Sequence, residues 1–219
     1  AMNDLLRKVG KMPPITFEIM EEDIKNRQEI LKKYIPDTSD YNSMVLWSIN
    51  GLVPDDSENG FGNNTFSNNK CLIIDPGAEA SKIINTIGNL IPVAIIITHY
   101  HFDHIGALEE IKKNYQIPVY DCHNIGIINI DPFNFEIIST KGHSNTGISI
   151  YFPKEKILFT GDFLFKGTIG RTDMLDSNPH LMIESINKIK EYPEDIIVYP
   201  GHGEMTSLKT EKMNNIYLN

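Results

Sequence analysis

Short apolar runs recur along this chain, and most end on a turn rich in glycine and polar residues. "CLIID" predicts a strand that enters a turn at Pro76-Gly77, and "EASKIINTIGNL" predicts a helix. "PVAIIIT" then reads as a buried strand, "HIGALEEIKKNY" as a helix and "IPVYD" as a strand. Three more strands follow without a helix between them: "FEIIST", "GISIYF" and "KILFTGD". "NPHLMIESINKIKEY" predicts a helix with Ser177 or Asn178 as N-cap. "DIIVYPGH" closes the strands and "SLKTEKMNNIYL" the helices. Upstream, "EEDIKNRQEILKKYIP" carries Ile24, Ile30, Leu31 and Tyr34 at helical spacing and stops at Pro36. Residues 43–49 read as a strand and 51–70 as loop. Mixed strands and helices with a run of consecutive strands argue a layered α/β or α+β domain, with sheets covered by helices. A simple doubly wound sheet does not fit. Residues 1–40 read as an N-terminal extension and 41–219 as the main domain.

Composition narrows the class. The 219 residues are enough for one sizeable core. Net charge is -9, which argues against a nucleic-acid or anionic-membrane partner. Two cysteines are too few for a disulfide framework. Cys71 reads as a small buried residue, and Cys122, next to His123, as structural. The longest apolar stretch, "LIPVAIIIT", is too short to span a bilayer, and no leader pattern opens the chain. The expected location is the cytoplasm.

The chemistry concentrates in "THYHFDH", directly after an apolar strand. Positions two apart share a face in extended chain, so His99 and His101 reach one point together. Asp103 and His104 follow where the chain turns into a helix, and point at an adjacent place. Imidazole and carboxylate suit zinc, iron or manganese. Three further ligand types stand beside glycines near other strand ends: His143 in "KGHSNTG", Asp162 in "FTGD" and His202 in "PGHG". Five of the seven histidines thus sit at strand ends, which points to a metal site with two positions. His123 and His180 are assigned no function: His123 has no glycine turn and no nearby partner in sequence, and His180 lies in the first turn of a predicted helix.

"THYHFDH", "GHSNTG", "FTGD" and "PGHG", in that order, resemble the ligand motifs of the metallo-β-lactamase fold superfamily. The resemblance runs from about Asn64 to the end of the chain, with "NNTF" and "LIIDPG" similar to first-sheet strands. It implies an αββα sandwich of two mixed β-sheets covered by helices, with the metal site at one edge. "LFTGDFLFKGTIGRTD" and "YPGHGEMTSLKTEKMNNIYL" resemble the glyoxalase II-like hydrolases within it. That pattern implies one metal on His99, His101 and His143, a second on Asp103, His104 and His202, and Asp162 bridging both. The implied cofactors are two divalent ions, zinc first, with iron or manganese as alternatives.

Two such ions about 3.5–4 Å apart share a water and lower its pKa, so that the resulting hydroxide attacks a carbonyl. Asp103 is both ligand and catalytic group, able to orient or deprotonate that water. The expected reaction is hydrolysis of a small thioester, with a monomer or homodimer carrying it out. Thr98 and Asp75 are candidates to hydrogen-bond ligand histidines, although Asp before Pro-Gly also suits a plain turn. Lys166 and Arg171 are candidates to meet substrate, while Arg171 paired with Asp173 would only shape the loop. Phe163 would make the floor of the site more apolar.

Two features depart from the glutathione-thioester hydrolases. The chain ends soon after "PGHGEM", and the aromatic group usual after the last histidine is absent from "HGE". The alternatives are a persulfide dioxygenase using one iron on two histidines and one aspartate, a lactonase, and a metal-binding protein without catalysis. β-Lactamase activity is disfavoured by "GRTD".

Overall fold

The computed structural model describes residues 70–219. The helix expected at 21–36, the strand at 43–49, the loop up to residue 69 and the 1–40 extension lie outside the described residues. No described helix is long and apolar enough to cross a membrane.

Two sheets face each other. The smaller has the order β1 (Lys70–Ile74), β2 (Ile91–Ile96), β3 (Val119–Tyr120), and its described strands are parallel. Helices α1 (Ala80–Ile87), α2 (Phe102–Ile105) and α3 (Leu108–Tyr115) occur in its crossovers. The larger sheet is mixed. It is built from β4 (Gly126–Ile130), β5 (Phe133–Ser139), β6 (Ile148–Phe152), β7 (Ile157–Gly161), β10 (Ile197–Pro200) and β11 (Thr206–Ser207). Its order is β11-β10-β7-β6-β5-β4, with β7 and β10 the parallel pair. A hairpin of β8 (Leu164–Phe165) and β9 (Thr168–Ile169) follows β7. Helix α4 (Pro179–Lys190) precedes β10, and α5 (Leu208–Asn214) follows β11.

Alternation along the strands makes the layers. Cys71 and Ile73 of β1 pack with Ile83, Ile87, Leu108 and Ile111 of the helices. Leu72 and Ile74, one position over, point to the opposite face. There they meet Phe135, Ile137, Ile150 and Phe152 of the larger sheet. Beyond that sheet, Ile138, Leu158 and Val198 pack with Met182, Ile186 and Ile189 of α4 and Leu208 of α5. Helix, sheet, sheet, helix is therefore the order of layers.

Beyond the two-residue strands β8, β9 and β11, the predicted elements differ from the structure in two places. The helix expected from "HIGALEEIKKNY" is two helices, split at Gly106-Ala107. Ala107 N–H donates to Pro76 O at 2.9 Å, and a side chain at Gly106 would collide with Gly77 O. That close approach ties the segment to the turn after β1 and breaks helical continuity. The second difference is "GIINI", strand β4, where no element was expected. It is an edge strand whose residues alternate between half-buried and exposed. Asn178 is the N-cap of α4, its side chain accepting from His180 N and Leu181 N.

Candidate metal centre

The strands β2, β5, β7 and β10 all end on one edge of the sandwich, and the polar groups lie on the loops that leave them. His99, His101, Asp103 and His104 follow β2, His143 follows β5, Asp162 follows β7 and His202 follows β10. All seven come together. The ligand atoms of His99, His101 and His143 lie within 4.8 Å of one another, as do those of Asp103, His104 and His202. Asp162 reaches both groups. Its Oδ2 is 3.5 Å from His143 Nε2 and 3.6 Å from His202 Nε2, and its Oδ1 is 3.5 Å from His104 Nε2.

Hydrogen bonds on the outer side of each ring decide which nitrogen faces inward. Asp75 is the hub. Its Oδ1 accepts from Thr98 N at 2.7 Å, and its Oδ2 accepts from Thr98 Oγ1 at 2.5 Å and His104 Nδ1 at 2.9 Å. With its proton given to Asp75, Thr98 Oγ1 accepts from His99 Nδ1 at 3.1 Å. His143 Nδ1 donates to Arg171 O at 3.1 Å. His101 Nε2 donates to Asp176 Oδ1 at 3.3 Å. Each of these four rings therefore turns its other nitrogen toward the centre, as metal-ligating histidines do when an outer acceptor fixes the ring.

Inside, the consequence is a frustrated arrangement that a cation relieves. His99 Nε2, His104 Nε2 and Asp162 Oδ1 are buried without any hydrogen-bond partner. His143 Nε2 and His101 Nδ1 lie 3.0 Å apart, two lone pairs facing each other. Such groups are costly to bury unless something electropositive sits among them. The donor set, imidazole nitrogen with carboxylate oxygen, fits a borderline divalent ion such as zinc or iron.

Charge follows the same geometry. Burial, then the neighbouring histidines, holds His99 far below the ordinary imidazole range. Burial also lowers His143. Burial opposes charge on His104, but Asp75 and Asp162 outweigh it and push this ring up to about 10. The hydrogen bond that His202 donates to Asp103 raises this ring. Burial pushes Asp103 upward, yet His202 and His104 prevail and keep its carboxyl below the usual range.

Two glycines make room. Gly161 has φ +49, and a side chain there would strike Thr98. At Gly201 it would strike Asp162 Oδ1 and the His104 ring.

The other expectations resolve as follows. Asp75 combines both readings: it sits in the turn, with φ 49, and orients the ring of His104. Phe163 is buried and lines a small cavity together with His99, His143 and Asp162. Arg171 pairs with Asp173 through two bonds, at 2.7 and 2.9 Å, which is the loop-shaping geometry. Lys166 pairs with Glu204 at 2.5 Å, so both candidate substrate cations are exposed and already matched. His123 does have a partner: Asp121 Oδ1, two residues earlier, lies 2.9 Å from its Nδ1. Burial, then Asp121, raises the adjacent Cys122 thiol, the opposite of a reactive cysteine. Burial pushes Cys71 up to about 11, in keeping with an inert core residue. Asp176 was not foreseen. It lies in "MLDSNPH", where no local pattern marks a residue that contacts His101, 75 positions away.

A family profile described as "Metallo-beta-lactamase superfamily" matches residues 60–133 and 128–202. The chain belongs to this superfamily. It is 37% identical to a probable metallo-hydrolase, YqgX, of Bacillus subtilis (strain 168), over 70% of this chain and 89% of that one. It is 32% identical to the hydroxyacylglutathione hydrolase GloC of Haemophilus influenzae, over 67% of this chain and 86% of the relative. Among solved structures it resembles the B3 metallo-beta-lactamase BLEG-1, with TM-score 0.66 and 34% identity, over 70% of this chain and 90% of the other. It also resembles TTHA1623 in a di-iron-bound form, with TM-score 0.62 and 28% identity, over 68% and 89% of the two chains.

Proposed function

We propose that this chain is a metal-dependent hydrolase of a small thioester, of the hydroxyacylglutathione-hydrolase kind. The observation that carries the reading is the convergence of seven ligand-type side chains with three buried, unpartnered ligand atoms among them. The relative named as a hydroxyacylglutathione hydrolase supports the thioester, and the di-iron neighbour supports a two-metal centre. His99, His101 and His143 would hold one ion, Asp103, His104 and His202 the other, and Asp162 would touch both. Zinc is the first candidate, iron the second.

When bound, such ions supply a Lewis acid for the carbonyl oxygen and a water acidic enough to ionise near neutral pH. The chain supplies orientation. The outer acceptors of His99, His101, His104 and His143 hold the rings, so the centre does not reorganise during reaction. Asp103, kept anionic by His202 and His104, would hold one ion and could orient the attacking water as a hydrogen-bond acceptor or take its proton. Phe163 keeps the floor apolar. Lys166 and Arg171 can engage a carboxylate of the substrate only by leaving Glu204 and Asp173. A one-iron dioxygenase would need only three ligands and would leave the convergence of the remaining groups without a role.

The test is hydrolysis of S-D-lactoylglutathione by protein loaded with zinc, iron or manganese, with metal content measured on the same samples. Turnover with about two metals per chain is the expected result. One iron per chain with oxygen uptake and no hydrolysis would overturn the proposal in favour of the dioxygenase.

A further inference from the structure

The three histidines of the first cluster are oriented in three different ways. His99 gives its outer proton to a hydroxyl, Thr98 Oγ1, and His143 to a backbone carbonyl, Arg171 O. On its outer side His101 alone in this trio faces a carboxylate, with its Nε2 3.3 Å from Asp176 Oδ1. We propose that Asp176 is a positioning residue for the metal centre: it fixes His101 with the proton on Nε2 and the lone pair of Nδ1 toward the ion shared with His99 and His143.

The loop is built to hold that carboxylate. Ser177 Oγ both accepts from Met174 N and donates to Met174 O, at 2.8 Å each, closing a tight turn around Asp176. Asn178 N–H then donates to Gly142 O at 2.7 Å, next to His143. Arg171, at the start of the same loop, supplies the carbonyl that orients His143. One loop thus sets two of the three rings, by a backbone acceptor and by a side chain. Without Asp176, His101 Nε2 loses its carboxylate acceptor, and the ring is free to carry its proton on Nδ1, 3.0 Å from His143 Nε2, and to present that to the centre.

A carboxylate against the outer nitrogen also makes the inner one a better donor. The pair is partly open to water, with 26% of the His101 side chain and 43% of the Asp176 side chain exposed. Solvent therefore softens the effect, toward the lower end of the 10–100-fold range typical of such partners.

This inference rests on the metal-centre reading, and the experiment separates the two. Zinc affinity of the wild-type chain, Asp176→Asn and Asp176→Ala is measured by competition with a chromogenic chelator. The His101 imidazole is followed by nitrogen-15 NMR in the zinc-loaded proteins. The expected result is an affinity for one of two zinc ions lowered about tenfold in Asp176→Ala, with the other ion unaffected. Asp176→Asn keeps a neutral acceptor and falls between. The His101 Nε2 proton, protected in the wild type, exchanges faster in Asp176→Ala. Thermal melting without metal shows the variants folded, so a lost core is not the cause. Wild type with two zinc ions and Asp176→Ala binding alike, with an unchanged His101 signal, would overturn the role of Asp176 alone. Wild type without zinc would overturn the metal centre as well.

Discussion

Asp75→Asn is the sharpest perturbation of the centre that leaves its shape alone. The residue has φ 49, and Asn tolerates that left-handed geometry as well as Asp does. The hydrogen bonds do not survive equally. Thr98 N–H cannot turn away from its partner, so the amide oxygen must take the Oδ1 position and the NH2 group the Oδ2 position. Thr98 Oγ1 can rotate and accept from that NH2. His104 Nδ1–H, 2.9 Å away, cannot. The ring relieves the conflict by carrying its proton on Nε2, the atom that faces Asp103 and Asp162. One mismatched hydrogen bond at a buried site costs about 1–3 kcal/mol. In a domain of this size that lowers the melting temperature of the metal-free protein by about 2–12 °C. Loss of the inward lone pair weakens one metal site about 10–100-fold. Differential scanning calorimetry and chelator competition read the two effects separately. A variant that melts and binds metal like the wild type would refute the tautomer argument.

Three further outcomes follow from the same geometry. His104 is pushed up to about 10 and is protonated in the metal-free protein at neutral pH, so metal binding there expels a proton. Affinity should rise about tenfold per pH unit for each proton released between roughly pH 6.5 and 10, and calorimetric heats should vary with buffer ionisation enthalpy. In the metal-free fold the sign is opposite: the raised pKa of His104 stabilises fully below about pH 6.5, and that stability fades as pH climbs through about 10. Asp103→Asn should lose about 10²–10⁴-fold in kcat while still retaining at least one metal, as read by steady-state kinetics and elemental analysis. Phe135, fully buried between the sheets and 5.3 Å from the Phe152 ring, should cost about 3–5 kcal/mol when cut to Ala, seen as a lower urea midpoint.

The candidate ligands were legible because they follow apolar runs, with His143, Asp162 and His202 beside a glycine as well. Strand ends and glycines are local signals, and the fold gathers those ends at one edge. The elements that escaped carry little local signal. β8, β9 and β11 are two residues each, too short for any period to show. "GIINI" opens on a glycine and places an asparagine mid-strand, and it becomes β4 only by pairing with β5. The break at Gly106-Ala107 comes from a tertiary contact with Pro76 and Gly77, which helical periodicity does not contain. Asp75 was half legible: a turn-forming aspartate is visible in "IDPG", while its hold on Thr98 and His104 needs β1 and β2 side by side. Asp176 was not legible at all, since its partner comes from a distant loop.

The most direct measurement is a crystal structure of zinc-loaded protein with anomalous data at the zinc edge. Two peaks are predicted. One lies about 2.0–2.2 Å from His99 Nε2, His101 Nδ1 and His143 Nε2, and the other at the same distance from His104 Nε2, His202 and Asp103, with Asp162 between them. A single peak that leaves Asp103, His104 and His202 uncoordinated, or none, would contradict the two-metal centre.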